Sequence, residues 1–241
     1  MKKSILLLAF ILCTISNVNA QDKIKLQGNG KVVSETRNTG DYDGVKIAGF
    51  FDVDLVSGKE GKITIKGEEN LLSAIKVEVE DKSLKIYVEK GTQIRTSSGN
   101  KIQVTVPFEK ISELSLAGSG DIQSKDVIKN DNLAVKLAGS GNLTLPVDTN
   151  NLELHVSGSG NIHLKGTATK LTTKLSGSGD IDASSLKSKI VEANVSGSGN
   201  SKVTCDESIT ARVAGSGNIK YIGNPDKRDV KVSGSGTITK G

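Results

Sequence analysis

Two sets of residues in this chain are of types that could do chemistry, and both recur at a near-constant spacing. His163, Asp182 and Lys202 stand five residues after the first glycine of successive Gly-Ser-Gly triplets. An imidazole, a carboxylate and an ammonium group on one face could serve acid–base work on a polysaccharide. The plainer reading is a cross-strand ladder of opposite charges. A glycoside hydrolase also wants a cleft and a pair of positioned carboxylates. The ladder reading is therefore preferred, and no catalytic residue is assigned; a polysaccharide lyase or hydrolase is kept as the alternative function.

The second set is Lys136, His155, Lys174, Arg212 and Lys231, each three residues before the first glycine of a triplet. Stacked like charges cost energy in a sheet, so this basic column hints at a use. Acidic glycans or lipopolysaccharide would suit it as ligands. A solvated face that resists aggregation is the competing explanation.

Other chemistry finds no support. No Gly-Lys-Ser/Thr phosphate loop and no dinucleotide fingerprint is present. Calcium-binding β-rolls repeat every nine residues, and the period here is about twice that. Cys205, His155 and His163 fall in separate repeats, which argues against zinc. No metal and no cofactor are expected. The charge is only +5, with 32 Lys and Arg against 27 Asp and Glu, which gives no clustered footprint for nucleic acid.

The elements that carry these columns follow from the repeat. Gly-Ser-Gly begins at Gly118, Gly139, Gly158, Gly177, Gly197, Gly215 and Gly234, with steps of 21, 19, 19, 20, 18 and 19 residues. Two residues before each stands an apolar side chain: Leu116, Leu137, Val156, Leu175, Val195, Val213 and Val232. The residues flanking these are mostly polar, and the next ones out mostly apolar or small, which is the alternation of a half-buried strand. After each triplet come an Asx or Thr and then, in all but one case, Ile or Leu. Such a unit cannot bury its apolar face alone, but stacked copies bury a continuous column. The glycines mark a corner where the backbone takes positive φ or approaches a neighbour closely. Asn and Asp beside the corner can pair from rung to rung.

A left-handed hexapeptide helix would keep a strict 18-residue turn. The spread from 18 to 21 points instead to an all-β, right-handed parallel β-helix with rungs of about 19 residues. Its regular rungs are expected over 111–241. Residues 44–110 read as irregular β-rich capping strands, with a hairpin around Asp81-Lys82-Ser83 and a helical turn near Glu68–Ala74. Residues 21–43 read as a lead-in segment.

Residues 1–20 read as a signal peptide. Lys2 and Lys3 precede the apolar run Ile5–Leu12, which is too short to span a bilayer, and Val18-Asn19-Ala20 offers small residues for cleavage before Gln21. Cys13 belongs to that apolar run and not to a lipobox, since Leu12 precedes it. Cys205 then remains alone, so no internal disulfide is expected. The mature chain is expected to be exported to the periplasm, the outer cell surface or the medium, with no membrane-spanning segment.

The runs Phe51-Asp-Val-Asp-Leu, Ile63-Thr-Ile-Lys-Gly-Glu-Glu-Asn-Leu-Leu, Leu84-Lys-Ile and Val104-Thr-Val-Pro, followed by the repeated Gly-Ser-Gly-Asx-Ile, resemble a known family. It is the putative auto-transporter adhesins with a head-GIN domain, of Gram-negative bacteria. The resemblance covers nearly the whole chain after residue 20. It implies a β-helical fold, an envelope location and an adhesive role, and it carries over no catalytic residues. The expected function is thus an exported structural or adhesive module.

Overall fold

The computed structural model describes residues 24–241. The expected signal peptide and Cys13 lie outside the described residues. The chain opens with β1 (Ile24–Gln27) and β2 (Val32–Asn38). It continues through β3 (Gly44–Gly49), β4 (Asp52–Ser57) and β5 (Lys62–Glu68) into one helical turn, α1 (Glu69–Leu72). Then β6 (Ile75–Glu80) and β7 (Ser83–Val88) form an antiparallel hairpin, with Asp81 and Lys82 at positive φ in its turn. After β8 (Thr92–Arg95) and β9 (Gln103–Phe108) the repeat begins.

The repeat comprises β10 (Glu113–Gly118), β11 (Asp121–Ser124), β12 (Ile128–Gly139), β13 (Asn142–Gly158), β14 (Asn161–Gly177) and β15 (Asp180–Gly197). It closes with β16 (Asn200–Thr204), β17 (Ser208–Gly215), β18 (Asn218–Ile222), β19 (Lys227–Gly234) and β20 (Thr237–Lys240). All of these strands pair in parallel. One ladder runs β10, β12, β13, β14, β15, β17, β19 and sets the first glycine of every triplet opposite the next. A second runs β11, β13, β14, β15, β16, β18, β20 beyond the corner. This is the parallel β-solenoid that the period requires.

Alternation decides what faces inward. Leu116, Leu137, Val156, Leu175, Val195 and Val213 stack on one inner wall, and Ile122, Leu143, Ile162, Ile181 and Ile219 on the next, all buried. Burying each such side chain contributes ~1.5–3 kcal/mol. Two polar residues intrude: Thr173 and Ser201 are buried with hydroxyls that have no hydrogen-bond partner.

The corners are held from rung to rung. The carbonyl of Gly158 accepts from the N–H groups of Ser178 and Gly179, at 2.9 and 3.1 Å, and other rungs repeat the fork. Gly177 has φ +129, and a Cβ there would lie 2.2 Å from the Gly158 oxygen. Beside the corner, Asn142 donates its amide to Asp121 (2.8 Å), Asn161 to Asn142 (3.0 Å), Asn200 to Asp180 (2.9 Å) and Asn218 to Asn200 (2.9 Å). The expected Asx ladder is therefore present.

The stretch expected to be irregular contains regular levels of the same stack. β3 pairs in parallel with both β7 and β10, and β4 with both β9 and β11. Gly49 stands opposite Gly118, so Gly49-Phe50-Phe51 occupies the place of a Gly-Ser-Gly corner. Antiparallel strands close this end: β5 on β9 and on β2, and β6 on β7. Leu71 and Leu72 of α1 are buried there. Among the described residues, β1 pairs only with β8. Glu68, buried at the end of β5, accepts from the N–H of Gly30 (2.6 Å) and from the N–H and Oγ of Ser97 (2.8 and 2.6 Å), so it ties the β1–β2 loop to the segment after β8.

Among the described residues no antiparallel strand covers the opposite end. β19 and β20 each pair with one neighbour, and Val230 and Val232 are 50% and 41% exposed. Arg228 stands opposite buried Ile209, and Lys240 opposite Tyr221, so the last rung carries charges at inward-facing positions.

Candidate ligand-binding surfaces

The ladder before the corner brings Lys136, His155, Lys174, Asn194, Arg212 and Lys231 into one outward row. Lys46 and Lys85 prolong the row towards the capped end, across Ser115. Two residues earlier in each rung lies a second outward row, which supplies carboxylates. Glu113, Glu153, Glu192 and Asp229 occur there on alternate rungs, separated by Ala134, Thr172 and Thr210. Only the basic row was singled out from the sequence. The acidic one was legible as a second column at the same period.

The two rows neutralise each other in part. Glu113 takes Lys46 at 3.0 Å and Lys136 at 2.8 Å, and Glu153 takes His155 at 2.7 Å and Lys174 at 3.7 Å. Asp229 receives the Arg212 guanidinium. Hydrogen bonds from Lys136, His155 and Arg212 hold the three carboxyls below their ordinary range. Lys231 makes no ion pair among the described residues. Exposed pairs of this kind contribute at most about 1 kcal/mol each. They can therefore exchange partners with an incoming ligand at low cost. The face is a strip of alternating charge on a ladder of paired strands, and among the described residues Lys231 stands in it without an ion pair.

Beyond the corner, His163, Asp182, Lys202 and Lys220 are successive neighbours, as the spacing implies. The Asp182 carboxylate accepts from the backbone N–H and the Oγ of Ser184 at 3.1 and 2.5 Å. These bonds, with Lys202 and His163 nearby, keep its carboxyl below the usual range. A cavity of about 210 Å³ is lined by His163, Asp182 and Ser184, and Asp182 is the single carboxylate on its wall. The arrangement orders charges along a strand, but it does not set two carboxylates astride a bond.

Among the described residues, no group of three or more His, Cys, Asp or Glu is placed to hold a metal ion. Cys205 is buried, and burial pushes its thiol up, so it packs as a small core residue. A larger cavity, of about 580 Å³, lies at the third bend of the rungs. Its residues belong to the variable return of each repeat, which carries no fixed motif to draw attention from sequence.

Comparisons with known proteins agree with the architecture. A family model described as "Putative auto-transporter adhesin, head GIN domain" matches residues 41–225. The crystal structure of a putative adhesin from Bacteroides fragilis is 27% identical and superimposes with a TM-score of 0.80, over 89% of this chain and 99% of that one. A putative lipid binding protein from Parabacteroides distasonis is 26% identical, with a TM-score of 0.75 over 90% and 99% of the two chains. A putative adhesin from Parabacteroides merdae shares the fold at 22% identity and a TM-score of 0.71, over 90% and 99%. No curated protein matches. No helix among the described residues is long and apolar enough to cross a membrane.

Proposed function

Since the chain belongs to the family of putative auto-transporter adhesins with a head GIN domain, we propose that it is an exported, non-catalytic adhesive module of the cell envelope. The observation that carries this reading is the strip of exposed charge repeated at rung spacing on a rigid ladder. Such a surface suits many weak contacts along a repetitive polymer, where avidity supplies what each contact lacks. The ligand is a surface glycan or other polyanion held along Lys136, His155, Lys174, Arg212 and Lys231. The interleaved carboxylates make affinity modest and salt-sensitive, because screening acts over ~8–10 Å. The basic start and the apolar run Ile5–Leu12 support export.

The test compares the wild type with the combined Lys136→Ala, Lys174→Ala and Arg212→Ala variant on immobilised acidic polysaccharide at rising salt. Binding is expected to fall smoothly with salt and to weaken severalfold in the variant. Equal binding by the two proteins would reduce the column to a solvated face. A glycan-cleaving activity abolished by His163→Ala would replace the adhesive reading with an enzymatic one.

A further inference from the structure

The groove at the third bend has a regular origin. Backbone pairing between β12, β13, β14 and β15 reaches Asn130, Thr149, Ala168 and Ser188, then resumes two residues later in each strand. The skipped residues, Asp131, Asn150, Thr169 and Lys189, turn outward together and form one wall. Lys129, Asp148, Thr167 and Lys187 stand exposed as the other wall. Between them lie the buried Thr149, Ala168 and Ser188.

We propose that this groove binds an extended, sparsely charged glycan chain lying along the solenoid axis. The spacing supports it first. Rungs repeat every ~4.8 Å, close to the length of one pyranose unit in an extended chain. Successive sugars therefore meet equivalent positions on successive rungs. The polarity of the groove supports it next. Its middle offers hydroxyls and an amide, from Thr167, Thr169 and Asn150. Their protons are turned along the row, Thr167 donating to Asp148 at 2.6 Å, Asn150 to Asp131 at 2.8 Å and Thr169 to Asn150 at 3.4 Å, which leaves the two threonine oxygens as acceptors for sugar hydroxyls. On the wall of Lys129 and Lys187 the cations sit only at the two ends, three rung steps or ~14 Å apart. A chain with an acid on every unit finds no counter-charge between them, whereas a chain of mostly neutral units does not need one.

The groove rests on the adhesive reading but places the ligand on a different face from the basic column, and calorimetry separates the two. The probes are uncharged hexamers (cellohexaose, chitohexaose and isomaltohexaose) and fully charged hexagalacturonate. At least one uncharged hexamer is expected to bind the purified protein better than hexagalacturonate. Thr167→Ile with Thr169→Ile keeps β-branched residues on the strand, removes two hydroxyls and narrows the groove. Binding should weaken about tenfold or more. Asn150→Leu should weaken it by a separate route, and the Lys136, Lys174, Arg212 triple variant should leave it unchanged. Unaltered binding in both groove variants overturns the groove assignment. Preference for hexagalacturonate, lost in the triple variant, overturns the groove and leaves the column reading standing. Failure of the wild type to bind any of the four overturns the groove and leaves the column to the polysaccharide test.

Discussion

Alanine at Gly177 is a direct probe of what the repeated corner is for. Its Cβ would lie 2.2 Å from the Gly158 carbonyl oxygen, and real Cβ contacts are essentially never under 3.0 Å. Adjacent rungs must therefore part locally by about 0.8 Å. That oxygen holds the N–H groups of Ser178 and Gly179, so two hydrogen bonds of net ~1 kcal/mol each are strained. The φ of +129 adds ~1–3 kcal/mol for a residue with a side chain. The expected loss is about 3–5 kcal/mol. Two controls separate the contributions. Gly30 has φ +79 with nothing within 4 Å of a Cβ, so alanine there carries the backbone cost alone, ~1–2 kcal/mol. Gly179 is not among the positive-φ glycines, and its Cβ would sit 2.0 Å from the Gly160 oxygen, so alanine there reports the contact alone. Lys174→Ala removes only an exposed pair at 3.7 Å and should change stability by less than ~0.5 kcal/mol. Guanidinium unfolding followed by circular dichroism ranks the four variants. If Gly177→Ala loses no more than Gly30→Ala, close approach between rungs is not what demands glycine, and the reasoning fails.

Thr173→Val replaces a buried, unpartnered hydroxyl by a methyl group of similar shape and should raise stability by about 1 kcal/mol in the same assay; a loss would mean that the hydroxyl is satisfied after all. Glu68 has its carboxyl lowered, chiefly by the Ser97 hydroxyl, so its contribution is present above the ordinary glutamate range and is lost as pH falls through the lowered folded value. The protection factors of the Gly30 and Ser97 amides, taken against intrinsic exchange at each pH, should therefore fall as the Glu68 carboxyl protonates below the ordinary glutamate range, and Glu68→Gln should flatten that dependence; a dependence of equal steepness in the variant would assign it elsewhere. Arg228→Leu with Lys240→Leu makes the last rung apolar at its inward positions and should shift sedimentation towards larger species than the wild type forms; an unchanged profile would show that these charges do not guard the end.

The regular part of the solenoid was readable because each rung repeats the same demand. A corner stacked on a corner needs glycine, and an inward position needs an apolar side chain, so both appear as columns at one period. The corner at Gly49-Phe50-Phe51 escaped for a physical reason. Each corner's Cβ positions face the preceding level, and beneath this one the chain leaves the stack between Val88 and Gln103. No corner carbonyl lies below Phe51, so glycine is not required, and a buried Phe fills the place instead. The candidate surfaces were half legible. The basic residues stood out by charge, but their pairing with Glu113, Glu153 and Asp229 is a matter of diagonal reach between strands, which spacing alone does not fix. The groove was invisible because the skipped residues at the third bend share no residue type, only a place in the register.

The level formed by β3 and β4 has neighbours on both sides that come later in the chain. It is synthesised first but stacks on β7 and β9 below and on β10 and β11 above. Contacts such as Leu55 with Ser124 join residues 69 apart, against 19 for a step such as Asn142 to Asn161. Closing the longer loop costs about 1 kcal/mol more. The rungs after β12 close the shorter loops, so pairing among them is the cheaper first step, and a stack of like rungs can begin at any of them. The β3–β4 level, by contrast, gains its upper neighbour only once the chain has reached about Ser124.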